Sequence, residues 1–148
     1  MTTAGAAVDT YLADTLLPAL FPTATVVRGA PGRTVTDDVV SLQSTTVTDA
    51  QACYGPSRRR NETMTVTLLL SCTRRGDHTA QALADAAAWA MLDALRENLR
   101  AAPGQNLAGA VRHAEVSSYT LDRPDDPELL EQARNATITV ALTVLAHN

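Results

Sequence analysis

Between Glu62 and Cys72 the chain alternates without a break: Met64, Val66, Leu68, Leu70 and Cys72 fall on one side, and Thr63, Thr65, Thr67 and Ser71 on the other. A period of two over this length is the mark of a sheet strand buried on one face. The pattern then changes. After Arg74-Arg-Gly-Asp-His78, apolar residues recur at helical spacing through Ala80, Ala84, Ala87, Met91, Leu95 and Leu99. The stretch Glu62–Ala102 therefore predicts a strand, a tight charged turn and one long helix that covers the strand, the nucleus of an α+β fold.

The rest of the chain supplies elements to complete that nucleus. Residues 4–20 carry Val8, Leu12, Leu16 and Leu20 four apart, with Tyr11 and Leu17 widening the stripe. This predicts an N-terminal helix that ends or kinks at Pro18, which lacks a backbone donor and crowds the preceding turn. Thr25–Arg28 reads as a short strand. Val39–Thr48 reads as another, with Val39, Ser41, Gln43, Thr45 and Val47 on one face and Val40, Leu42, Ser44, Thr46 and Thr48 on the other. Residues 49–61 form a hairpin connection whose tip, Gly55-Pro-Ser57 followed by Arg58, Arg59 and Arg60, combines turn residues with mutually repelling charges. Pro103-Gly104 stops the long helix. Val111–Leu121 reads as a strand, Asp122-Arg-Pro-Asp-Asp-Pro127 as an acidic turn, and Glu128–Ala133 as one helical turn. Ala136–Leu145 forms the last strand, with Ala136, Ile138, Val140, Leu142 and Val144 inward, and is expected to pair with residues 62–72 at the sheet centre.

The expected order is α-β-β-β-α-β-β. It describes one α+β domain over residues 1–148, a mixed, mainly antiparallel sheet covered on one side by the long helix and the N-terminal helix. A chain of 148 residues can bury a core without staples. Aromatic residues make up only 3% of it, so Ala, Val, Leu and Thr must do the packing.

Chemistry is harder to find. A nucleophile needs a base within reach and a group to orient that base, and the three histidines, His78, His113 and His147, are scattered. His113 and Glu115, two apart on a strand, share a face with Tyr119 by simple alternation, an arrangement expected of a surface pair. Asp37-Asp38 and Asp125-Asp126 are adjacent residues at turns. Cys53 and Cys72 have neither metal-ligand spacing nor clustered histidines, and no phosphate-binding glycine loop occurs. No catalytic residue, cofactor or metal is expected, and an enzyme is not the favoured class. The net charge of −4, with all twelve cations Arg, argues against a nucleic-acid reader. The residues ahead of Asp9 lack the basic region of a secretion signal, and no run approaches the ~18 apolar residues of a membrane span. The Arg75-Gly-Asp77 tripeptide reads as a strand-to-helix turn with Asp77 at the helix N-terminus.

Two features are left as candidate subunit or partner contacts. Trp89 lies some 150° around the helix from Met91 and Ala84 at about 100° per residue, four residues from both Asp85 and Asp93. A large aromatic there is either covered by its own chain or used on a partner. The other candidate is Arg58-Arg59-Arg60, a solvated tip or an interface made on assembly.

In segment order the chain resembles the tail terminators of long-tailed bacteriophages. The resemblance is carried by Leu16-Leu-Pro-Ala-Leu20 closing the first helix, the long hairpin before Glu62–Leu70, and the Arg-Gly-Asp turn leading to Ala88-Trp-Ala-Met-Leu92. Leu107-Ala-Gly109, the acidic turn at Asp122–Asp126 and the strand Ala136–Val140 extend it over nearly the whole chain. It implies a virion protein, made in the host cytoplasm, that forms a homo-oligomeric, typically hexameric ring. The ring would close the head-proximal end of the tail tube and meet the head-completion (connector) proteins, with DNA passing through unread. The partners would be the tail tube protein and the connector, with no membrane involved. Another head–tail joining protein, a head-closure or adaptor component, has the same size and fold type. A small enzyme or ligand-binding domain of hot-dog type would need a polar group poised at a helix N-terminus, for which Asp77 is the one candidate.

Overall fold

The computed structural model describes residues 5–29, 38–51, 60–101, 104–109, 111–123 and 133–147. Among these residues five strands form one mixed sheet: β1 (Thr25–Arg28), β2 (Asp38–Gln51), β3 (Arg60–Arg75), β4 (His113–Asp122) and β5 (Ala133–His147), in spatial order β1-β2-β3-β5-β4. β1 runs parallel to β2, and every other pairing is antiparallel. The expected α+β order and the central β3–β5 pair are both present, with Met64 opposite Val144, Leu68 opposite Val140 and Cys72 opposite Ala136.

The alternation of β3 does what its pattern requires. Met64, Val66, Leu68, Leu70 and Cys72 are all fully buried, as are Ala136, Ile138, Val140, Leu142 and Val144 of β5. The same parity reaches back to Glu62, a buried carboxylate opposite Ala146. Over this face lies the long helix, Ala80–Asn98, burying Ala84, Ala88, Met91, Leu92 and Leu95. Its buried side chains are small in the first half (Ala80, Ala84, Ala88) and larger in the second (Met91, Leu92, Leu95). Cys72 touches Met91, with sulfur atoms 3.2 Å apart. Burial, helped by the nearby Asp38 charge, pushes the thiol up to about 12, so it packs as a small apolar group.

The helix starts where Asp77 accepts hydrogen bonds from the Thr79 backbone N–H (3.0 Å) and hydroxyl (2.7 Å). The Thr79 hydroxyl and then its N–H hold the Asp77 carboxyl below its ordinary value. Gly76 is required just before it: its φ is +134°, and a Cβ there would stand 3.1 Å from that of Ala80.

The N-terminal helix corrects one expectation. It passes Pro18 and continues to Leu20, because the segment Leu12–Leu16 widens into a π-turn before the proline. The wider turn places the Leu17 N–H on the Leu12 carbonyl and relieves the clash a proline ring makes in a regular α-turn. Val8, Leu12, Leu16 and Leu17 all reach the core.

The strand boundaries differ too. β2 and β3 extend toward each other through Asp49–Glu62, Ala50–Asn61 and Gln51–Arg60, so the hairpin connection is shorter than 49–61. Arg60 begins β3, whereas Arg58 and Arg59 lie outside the described residues. The helical turn expected over 128–133 also lies outside them, apart from Ala133, which opens β5.

Two β-bulges change which side chains share a face. The β2 register shifts between Leu42 and Ser44, and that of β4 between Val116 and Ser118. Each inserts an unpaired residue, Gln43 and Ser117, and so reverses the alternation beyond it. Thr45 and Val47 therefore join Val40 and Leu42 on the helix side, contrary to strict alternation. The opposite face of the sheet carries Thr46, Thr63, Thr65, Thr67, Thr139 and Thr143, exposed or half-buried, with no described helix over it.

Candidate contact surface

The β4 bulge has the greater consequence. Tyr119 pairs opposite Val140, an inward residue, so it stands on the helix side. Its expected place beside His113 and Glu115 was wrong: those two lie before the bulge, opposite Leu145 and Thr143 on the outer face. Displaced in this way, Tyr119 meets Trp89. Their ring centroids are 5.9 Å apart with planes at 83°, an edge-to-face contact. Arg96 completes the group, its guanidinium 5.5 Å from the centre of the Tyr119 ring. Trp89 is thus partly covered by its own chain and still 38% exposed, and Tyr119 is 43% exposed.

Trp89, Arg96 and Arg100 are seven and eleven residues apart, so they form one stripe along the polar side of the helix. That spacing was present in the sequence, but Tyr119 could not be assigned to it without the bulge. Past Arg96 the stripe opens into a cleft of about 270 Å³ at the edge of the sheet, where Arg96, Leu99, Arg100 and Gln105 meet the start of β4 at His113, Glu115 and the inward Val116. His113 Nε2 and the Glu115 carboxylate stand 3.4 Å apart, and Arg100 donates to Glu97 at 3.1 Å. Both pairs are largely exposed, and exposed pairs of this kind are weak and readily exchanged.

Fold similarity to solved structures covers the chain from end to end. A chain in the virion of a native gene transfer agent particle matches 99% of this protein over 100% of its own length, with a TM-score of 0.56 and 22% sequence identity. The likeness is one of fold. No known family model matches the sequence, and no curated protein matches it.

At the other end of the stripe the surface is tied down. Arg123 donates two hydrogen bonds to Asp85, at 2.8 and 2.9 Å, and Gln81 bridges Asp85 to the backbone carbonyl of Asn135. Burial alone would raise the Asp85 carboxyl, but the hydrogen bonds from Arg123 and Gln81 and the Arg123 charge outweigh it and hold the carboxyl below its usual value. This clamp joins the helix to the end of β4 and fixes the Trp89–Tyr119 pair between them. His78 is exposed in the turn before the helix, and the described residues contain no group of three or more His, Cys, Asp or Glu placed to hold a metal. What the arrangement offers is contact chemistry: a Trp–Tyr–Arg cluster of the residue types that dominate protein interfaces.

Proposed function

We propose that this protein is a structural component of a phage-like virion, and within that class a tail terminator that forms a ring on the head-proximal end of the tail tube. The observation that carries the coarser reading is the end-to-end fold match to a chain of a gene transfer agent virion. The finer reading rests on the segment order and on surfaces suited to assembly. A ring through which DNA passes must not hold phosphates, and the uncovered sheet face presents threonine hydroxyls from Thr63 to Thr67 and from Thr139 to Thr143 in place of cations. Trp89 and the Arg58–Arg60 tip are the candidate contacts with neighbouring subunits, the tube protein or the connector.

The test is assembly on its partner. Added to polymerising tail tube protein, the wild-type chain is expected to cap one end and shorten the tubes, with six-fold rings seen at that end by electron microscopy. Arg58, Arg59 and Arg60 changed together to Ala should keep the thermal midpoint but lose capping. Tubes of unchanged length with the wild type would overturn the terminator reading. Binding to the connector alone would assign the chain to head closure.

A further inference from the structure

The two edges of the sheet are unlike, and they complement each other. Among the described residues the outermost strands are β1 on one side and β4 on the other. β1 runs with β2, β3 against β2, β5 against β3 and β4 against β5, so β1 and β4 point in opposite directions. Rotation about an axis along the strands keeps those directions from copy to copy. We propose that β4 of each copy takes β1 of its neighbour as an added antiparallel strand, with the helix sides of the two sheets continuous.

Length and side-chain parity fix how the strands meet. Past the Ser117 bulge β4 keeps one regular stretch, Ser118–Asp122, of which Ser118, Tyr119 and Thr120 are exposed. β1 is only four residues long. On β4, Tyr119 and Leu121 face the helix side, and on β1 Val26 and Arg28 do so, beside the buried Val40 and Leu42. Matching the faces sets Val26 of one copy opposite Leu121 of the next, Val27 opposite Thr120, and Arg28 opposite Tyr119. A slip of one residue puts Val26 on the wrong face. A slip of two carries either Arg28 onto the bulge or Val26 past the end of β4.

The layers above the sheet agree in charge. The N-terminal helix, residues 5–20, lies over β1 and β2, and its charged residues are Asp9 and Asp14, with no cation. Asp14 stands 3.5 Å from Arg28 in an exposed pair. The long helix lies over β3 and β5 and presents Trp89 and Arg96 toward β4. Because Arg96 is 5.5 Å from the centre of the Tyr119 ring, a neighbour's Arg28 arriving opposite Tyr119 brings its Asp14 up to Arg96. The acid then lies between two guanidinium groups. Asp93 and Glu97 stand some 60° and 100° farther round the helix, at about 100° per residue.

Main-chain hydrogen bonds give an added strand its affinity, and alternate side chains give its specificity. The contact joins unlike edges, so it is head-to-tail and closes where the rotation returns to the first copy. It deepens the ring reading and rests on it, and it occupies an edge that would otherwise invite uncontrolled pairing.

Directly opposed residues of an antiparallel pair come within reach of a disulfide, and Val27 and Thr120 would be such a pair on the outer face. In a Cys53→Ser background, oxidising a mixture of Val27→Cys and Thr120→Cys proteins should give a mixed dimer. The buried Cys72 should not take part. Val27→Cys mixed with Ser118→Cys should give at least about fivefold less, since diagonal neighbours are roughly 7–8 Å apart. Adding Arg96→Asp to the Thr120→Cys protein should cut the yield about tenfold, and adding Asp14→Arg to its partner should restore it. Both of these side chains are exposed, so circular dichroism should not change. No mixed dimer, or equal yields from Thr120→Cys and Ser118→Cys, would overturn the proposal. Cross-linking without capping of tail tubes would keep the contact and remove the terminator reading. Capped tubes whose rings, built from Val27→Cys/Thr120→Cys protein, do not cross-link would remove the contact and keep the ring.

Discussion

Replacing Trp89 and Tyr119 by alanine, singly and together, tests whether the aromatic cluster is a built feature of the folded chain. Trp89 is 38% exposed. If a Trp side chain offers at most roughly 250 Å², then roughly 90–150 Å² of Trp89 leaves water on folding. At about 25 cal/mol per Å² this is roughly 2–4 kcal/mol, an upper bound because the unfolded chain already hides some of that surface. Alanine retains part of the burial, so Trp89→Ala is expected to cost about 2–3 kcal/mol, and Tyr119→Ala about 2 kcal/mol. The edge-to-face contact at 5.9 Å should appear as a coupling of about 0.5–1.5 kcal/mol, the double variant losing less than the sum of the singles. Urea unfolding of all four proteins measures each corner of the cycle. The Trp89→Ala midpoint in a thermal scan should fall by roughly 5–10 °C, at ~2–4 °C per kcal/mol for a chain of this size. Additivity within about 0.3 kcal/mol would refute the argument, because the two rings would then be near one another without interacting.

Two further predictions follow from the fold. Deleting Ser117, whose hydroxyl donates to the Ala141 carbonyl at 2.9 Å, removes the extra residue of the β4 bulge. Because Ser118 then follows Val116 directly, Ser118 should stay opposite Ala141, and Tyr119 and Leu121 should stay inward opposite Val140 and Ile138, with the Trp89–Tyr119 contact kept. A large shift of Trp89 emission in the deletion variant would show that Ser117 is not the extra residue of the strand. Cys72, buried and with its thiol at about 12, should resist alkylation by iodoacetamide at pH 8 in the native protein and react once urea unfolds it. Rapid native labelling of Cys72, located by peptide mapping, would contradict the packing described here.

Much of the centre of this protein was legible from residue pattern alone. The alternation from Met64 to Cys72 and from Ala136 to Val144 states a buried face directly, since a strand offers every second side chain to one side. The long helix was legible for a similar reason: its Ala-to-Leu stripe has one period and one partner surface. Trp89 could be placed on the polar side of that helix by angle. What covers it could not, because Tyr119 is thirty residues away and reaches it only through a bulge.

The local pattern by itself determined the elements, their order and, for β3, β5 and the long helix, the side presented to the core, because these follow from spacings of two and 3.6 within one segment. It also determined the acidic composition of the β4–β5 connection and the arginine spacing on the helix. Only the tertiary structure decided the rest: the passage of the N-terminal helix beyond Pro18, the faces of β2 and β4 past Gln43 and Ser117, and the meeting of Trp89, Tyr119 and Arg96. A bulge exists only between two strands, and a π-turn is sustained only by the core it packs on. Neither is a property of the segment that contains it, and the cleft with its arginines is placed by both long-range register and helix docking.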